Sequence, residues 1–221
     1  MLNQKHKNFK AVVFDLDGVI INSEPIHMDI INDIVSPYGE PLGYTEYYRD
    51  YVGRGEYECC SLLKEKYGIP NTVEDIIRMY KDAISVYFDE VEELPVLPGV
   101  AELVKNIYRS GLKLAVASSS SNRNIRLSLR HAGLEPYFDV TISAEDVENG
   151  KPAPDVYLRA CDTLGIMPGQ GIAIEDSAAG VKAAKSAGLF TVGFINPDSG
   201  NQDLSGADME IRSFEEIGSL L

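Results

Sequence analysis

The chain has 221 residues, 44% of them hydrophobic and 24% charged, and carries a formal net charge of −14. That length holds one large domain or a core with a small second one, and it can bury a core without disulfides or structural metals. The acidic balance repels phosphate backbones, which argues against a nucleic-acid partner, and an anion site must supply its own local cations.

The opening MLNQKHKNFK has no apolar signal core, and no apolar run approaches the roughly 20 residues of a membrane span. A cytoplasmic protein with no membrane partner is therefore expected. FKAVVFDL, 9 to 16, reads as a buried strand, and it runs into Asp15 and Asp17 with Gly18 next. Residues 20 to 92 then break into helical patterns, EPIHMDIINDIVSPYG, YECCSLLKEKYG and TVEDIIRMYKDAISVYFDEV, with no strand between them. ELPVLPGV, 93 to 100, returns the chain to the core. LKLAVASS (112 to 119), DVTISA (139 to 144), QGIAIED (170 to 176) and LFTVGFI (189 to 195) read as further strands. The helical patterns 99 to 111, 121 to 133, 154 to 165 and 177 to 188 lie between them, each ending at a glycine stop.

Short strands buried on both faces and alternating with helices predict an α/β fold, a doubly wound, Rossmann-like parallel sheet. The helical block predicts a small inserted α-helical cap over residues 20–92, with the core at 1–19 and 93–221. The two crossings near 19–23 and 91–97 would make a hinge over the sheet's carboxyl edge. Cys59, Cys60 and Cys161 lack metal-ligand spacing and read as reduced thiols.

Ligands of such sheets bind beyond the carboxyl ends of the strands. Residues two apart on a strand face one way, so Asp15 and Asp17 can converge where Gly18 lets the chain turn off. Taken alone, the pattern equally describes a polar turn. The second strand ends in Ser118, followed by Ser119, Ser120 and Ser121, which can bind phosphate oxygens or cap the next helix. NGKPAPD holds Lys151 in a proline-fixed loop after the third strand. The fourth strand ends in Glu175 and Asp176, which could simply suit the next helix dipole. Together the four strand ends collect carboxylates that repel unless a cation joins them. Lys151 supplies one charge, and Mg²⁺ suits a few carboxylates plus a phosphate. Carboxylate nucleophile, metal, lysine and hydroxyl describe phosphoryl transfer.

DLDGV at 15 to 19, Ser118, Lys151 in KPAPD and EDS at 175 to 177 occur in the order found in the haloacid dehalogenase-like hydrolases. The sequence resembles that family over nearly its whole length, in the branch with a helical cap after the first motif. Within the branch it is similar to β-phosphoglucomutase and the sugar-phosphate phosphatases beside it. SEPIH, 23 to 27, resembles the start of that branch's cap. The resemblance implies Asp15 as nucleophile and Asp17 as acid/base, with Ser118 and Lys151 balancing charge on the phosphoryl oxygens. It implies Mg²⁺ on Asp15, the Asp17 backbone carbonyl and Asp176, with Glu175 close by. It places His27, Gly53, Arg54, Ser119 and Asn122 near the substrate. Asp17 argues against dehalogenation, since dehalogenases proper lack this second aspartate.

The departures concern the substrate. Val52, Glu56 and Ser121 stand where the mutase carries cations, and Arg54 and Arg123 lie close to those positions. The expected function is a Mg²⁺-dependent, monomeric phosphatase of a small phosphorylated metabolite, a sugar or polyol phosphate. A hexose-phosphate mutase is the first alternative, and a binding protein without turnover the second.

Overall fold

A computed structural model describes residues 9–220 of the chain. Residues 1–8, most of the opening stretch without a signal core, lie outside the described residues. In chain order the elements are β1 (Ala11–Phe14), α1 (Glu24–Val35), α2 (Tyr44–Asp50), α3 (Glu56–Tyr67), α4 (Val73–Glu90), α5 (Val100–Ser110), β2 (Lys113–Ser118), α6 (Asn122–His131), β3 (Val140–Ser143), α7 (Asp155–Leu164), β4 (Gly171–Glu175), α8 (Ala178–Ala187), β5 (Phe190–Phe194) and β6 (Met209–Ile211). A final 3-10 turn covers Phe214–Ser219.

The strands form one sheet in the order β3-β2-β1-β4-β5-β6, with every neighbouring pair parallel. The chain moves outward from β1 through β2 to β3, then crosses to β4 on the other side of β1. This reversal makes β1 and β4 the switch point, where a doubly wound sheet opens its crevice. Ala11, Val12, Val13 and Phe14 are all fully buried, as a central strand covered on both faces requires.

One sheet face is made of small side chains, Ala11, Val13, Ala115, Ala117 and Ala173. Against it pack Val156, Tyr157, Ala160 and Cys161 of α7 and Ala183, Ala184 and Ala187 of α8. Such a face lets both helices approach closely, which matters for the site below. Left-handed glycines end α5, α7 and α8 at Gly111, Gly165 and Gly188, as the sequence pattern predicts.

The chain divides into two compact units. One contains the sheet and takes the residues up to Asn22, Glu93–Asn196 and the residues from Gln202 onward. The other takes Ser23–Glu92 with Pro197–Asn201. This second unit is helical, with α1 to α4 around Ile31, Val35, Leu42, Tyr47, Leu63 and Ile76. Helix α4 begins with a reciprocal cap, in which the Thr72 hydroxyl accepts from the Asp75 N–H at 3.1 Å. The segment 197–201 is tied in by the Tyr44 hydroxyl, which donates to Asp198 Oδ1 at 3.2 Å. All three cysteines are free thiols. Among the described residues, no helix is long and apolar enough to cross a membrane.

Candidate active site

Four strand ends of the sheet unit meet beyond β1 and β4. The β1–β4 ladder extends one step past Phe14, because the Asp15 N–H donates to the Ile174 carbonyl at 2.9 Å. This bond fixes where the Asp15 carboxylate starts. Gly18 then takes φ 79° and its N–H donates to the Ile21 carbonyl at 2.7 Å, while Ile20 and Ile21 donate back to Leu16. A side chain at 18 would be strained in that turn, so the glycine is what lets Asp15 and Asp17 stay at the sheet edge.

Lys151 links three of these strand ends. Its side chain is 6% exposed, and its ammonium donates to Asp15 Oδ1 at 2.6 Å, to Glu175 Oε1 at 2.5 Å and to the Ala117 carbonyl at 3.0 Å. Three protons meet three acceptors, so the buried ammonium is satisfied. The loop that delivers it turns through Ala153 N–H to Gly150 O and has a cis bond between Lys151 and Pro152. Burial alone would lower the lysine pKa, but Asp15 and Glu175 more than offset it and hold the ammonium charged.

Asp15, Glu175 and Asp176 are all buried, and each places a carboxylate oxygen within 4.8 Å of the others. Burial pushes the Asp15 carboxyl up to about 8; Lys151 pulls it down, and Glu175 and Asp17 push it up again. Three buried carboxylates and one ammonium leave an excess of negative charge, the situation a divalent oxygen-ligated cation relieves. These residues fit such an ion on chemistry and on spacing.

Asp17 is half-buried and accepts a hydrogen bond at Oδ2 from the Ser120 hydroxyl at 2.6 Å. Ser118 is fully buried at the end of β2, and its oxygen accepts from the Ser120 N–H at 3.0 Å. The serine run therefore divides its work. Ser121 is the helix cap, accepting from the Asn124 N–H at 3.2 Å, while Ser120 reaches Asp17 and Ser118 braces the Ser120 backbone.

The remaining predicted residues have their own partners. Ser119 is exposed on the loop. Asn122 is bound to the turn after β3, its N–H donating to Glu145 and its side-chain amide to Asp146, both at 2.9 Å. In the helical unit, His27 Nδ1 and the Tyr80 hydroxyl are 2.7 Å apart. His27, Gly53 and Arg54 line a cavity of about 270 Å³ within that unit, together with Glu24, Tyr47 and Glu56. Arg54 is ion-paired with Glu58, and Glu56 with Lys81 at 3.1 Å.

Sequence reasoning passed over two residues of the site, Tyr157 and Gly180, and offered Ser120 as a phosphate binder or cap, not as a partner of Asp17. Tyr157 is fully buried, and its hydroxyl donates to Glu175 Oε1 at 2.6 Å. Gly180 lies in α8, where a Cβ would fall 2.0 Å from all three atoms of the Glu175 carboxylate. A glycine inside an alanine-rich helix costs about 1 kcal/mol relative to alanine, and that cost was the available signal. Gly180→Ala should consequently lower the melting temperature despite its better helix propensity, by about 1–3 kcal/mol of overpacking. A thermal melt at or above wild type would show that the carboxylate needs no such space.

Comparison with known proteins points to one family. The family described as haloacid dehalogenase-like hydrolase matches residues 12–194. A phosphorylated carbohydrates phosphatase of Thermotoga maritima is 36% identical over 181 residues, 81% of this chain and 82% of the relative. The structure of CbbY from Rhodobacter sphaeroides in complex with xylulose-(1,5)bisphosphate is similar at 28% identity and a TM-score of 0.78, covering 95% of this chain and 96% of that one. The β-phosphoglucomutase of Clostridium difficile is similar at 26% identity and a TM-score of 0.74, covering 96% of each chain.

Proposed function

The chain belongs to the haloacid dehalogenase-like hydrolases, and from that footing we propose that it is a metal-dependent phosphatase of a small phosphorylated sugar or polyol, acting through an aspartyl-phosphate. The observation that carries the reading is the buried Lys151 ammonium clamped between Asp15 and Glu175 at the switch point of the sheet. In this reading the sheet unit is the catalytic core and the helical unit the inserted cap domain.

Asp15 attacks phosphorus and the bond to the leaving alkoxide breaks, while the Asp17 carboxyl gives its proton to that oxygen. Water then attacks the phosphorus of the aspartyl-phosphate and leaves its proton on Asp17, which restores Asp15 and frees inorganic phosphate. The Ser120 hydroxyl on Asp17 Oδ2 orients the carboxyl for both transfers. Lys151 and Ser118 balance the charge that builds on the phosphoryl oxygens. A Mg²⁺ ion would be held by Asp15, Asp176 and the backbone carbonyl of Asp17, with Glu175 beside them, and it supplies charge neutralisation to the phosphoryl group.

The mutase reading shares these steps but returns the phosphoryl group to a sugar hydroxyl. Such an enzyme must recapture a doubly phosphorylated intermediate. Each charge-assisted phosphate contact is worth roughly 1.5–3 kcal/mol, so losing two weakens capture by about two to four powers of ten. Val52, Glu56 and Ser121 are not cations, and the nearby Arg54 is already paired with Glu58. This supports hydrolysis over isomerisation. The test is phosphate release from a panel of phosphorylated sugars, polyols and nucleotides. It includes β-glucose 1-phosphate with a trace of glucose 1,6-bisphosphate, with glucose 6-phosphate followed in parallel. Free phosphate without a bisphosphate activator is expected; rapid isomer conversion with negligible phosphate would put the mutase first.

A further inference from the structure

We propose that Tyr157 is a positioning residue, whose hydroxyl fixes the Glu175 carboxylate so that it delivers the Lys151 ammonium to the nucleophile; this rests on the phosphatase reading above. Tyr157 lies in the first turn of α7, the element that follows the Lys151 loop. It is fully buried against the small-residue face of the sheet. Its hydroxyl and the Lys151 ammonium share one acceptor, Glu175 Oε1, at 2.6 and 2.5 Å. Lys151 Nζ also lies 5.2 Å from the centre of the Tyr157 ring, within cation–π range.

The other sides of the carboxylate are closed as well. Oε2 accepts from the Ser177 hydroxyl at 3.1 Å, and the space beside the carboxyl carbon is the space that Gly180 leaves open. Glu175 is thus held from α7, from the start of α8 and from the helix backbone, which leaves it one orientation. That orientation places Lys151 on Asp15 Oδ1. Without the tyrosine hydroxyl, Oε1 keeps only the lysine, and the carboxylate can turn and draw the ammonium with it. The buried tyrosine stays protonated, since burial first and then Glu175 and Asp15 push its pKa well above the usual value, so it acts as a donor and not as a base.

Tyr157→Phe removes one oxygen atom and keeps the packed ring. With the substrate found in the phosphate panel, kcat and kcat/KM should fall together by about 10-fold to 100-fold, the value of a hydrogen bond to a charged group, while KM holds. The inhibition constant of vanadate, which presents the equatorial oxygens of the transferring phosphoryl, should rise in parallel. In the Glu175→Gln background, Tyr157→Phe should add less than about twofold, because its effect passes through Glu175. A packing defect would instead give the same loss in both backgrounds, with an unchanged vanadate constant, and would overturn the proposal. An arm without turnover keeps the two readings separate. Acetic anhydride labelling of the metal-free protein, read by mass spectrometry at Lys151, should be slow in wild type and faster in Tyr157→Phe. Equal labelling would overturn the positioning role. Absence of phosphate release by the wild type, with that difference in labelling, would sink the phosphatase reading alone.

Discussion

Asp15→Asn is expected to leave a folded protein whose phosphate release is at least about 10³-fold below wild type, some 4 kcal/mol of transition-state stabilisation. The amide has the carboxylate's shape, so the β1–β4 ladder at the Asp15 N–H and the packing of Phe14 and Leu16 are untouched. What is lost is the proposed nucleophile and the negative charge facing Lys151, whose ammonium can still donate to the amide oxygen. Stability should move the other way. Burial raises the Asp15 pKa from an ordinary 3.8 to about 8, so the folded metal-free protein binds a proton that the unfolded chain gives up. A raised folded pKa contributes stability that is fully present below 3.8 and is lost as pH climbs through 8. The variant lacks that dependence. Its melting temperature should gain on metal-free wild type as pH rises from 5 to about 8. Phosphate release near the wild-type rate, from a variant with a cooperative melt, would remove Asp15 from the nucleophile role.

The chemistry of this site was legible because it sits where sequence patterns change. Asp15, Ser118 and Glu175 each end or follow an apolar run, where a polar residue stands out, and Lys151 stands in a loop fixed by prolines. The strands themselves are continuous apolar runs because both faces of the sheet are covered. What could not be read was set by distance in the chain. Tyr157 sits on a buried helix face as one more apolar-looking residue, and only the fold brings its hydroxyl to Glu175, 18 positions away. Gly180 reads as a weak helix position until the carboxylate beside it is in view. Helix α2 escaped because YTEYYRD is only seven residues and its single buried side chain, Tyr47, gives no periodicity. β6 is three residues long and pairs only with β5, too short for alternation to register. The segment 197–201 joins the helical unit through contacts such as Tyr44 to Asp198, across 154 positions, which no local pattern encodes.

Excess chelator should abolish phosphate release and Mg²⁺ should restore it, whereas Ca²⁺ should not. Calcium takes more ligands at longer distances and would set the attacking carboxylate loosely. A second readout needs no substrate, because the ion and a proton compete for Asp15. In the metal-free protein burial raises that carboxyl's pKa well above the usual carboxylate range, so at pH 6 a proton must leave before the ligand is free. Because burial raises the Asp15 pKa, each step up in pH frees more of the carboxylate, so apparent Mg²⁺ affinity should rise from pH 6 to pH 8. Thermal shift with Mg²⁺ at fixed concentration should accordingly be small at pH 6 and grow toward pH 8, with proton release detectable on binding. The direction is distinctive: metal-free stability from Asp15 falls as pH rises, while metal-bound stability from the same group rises. Asp15→Asn should flatten both trends. Full turnover in excess chelator would refute metal dependence, and a Mg²⁺ shift that is equal at the two pH values would place the ion somewhere other than on Asp15.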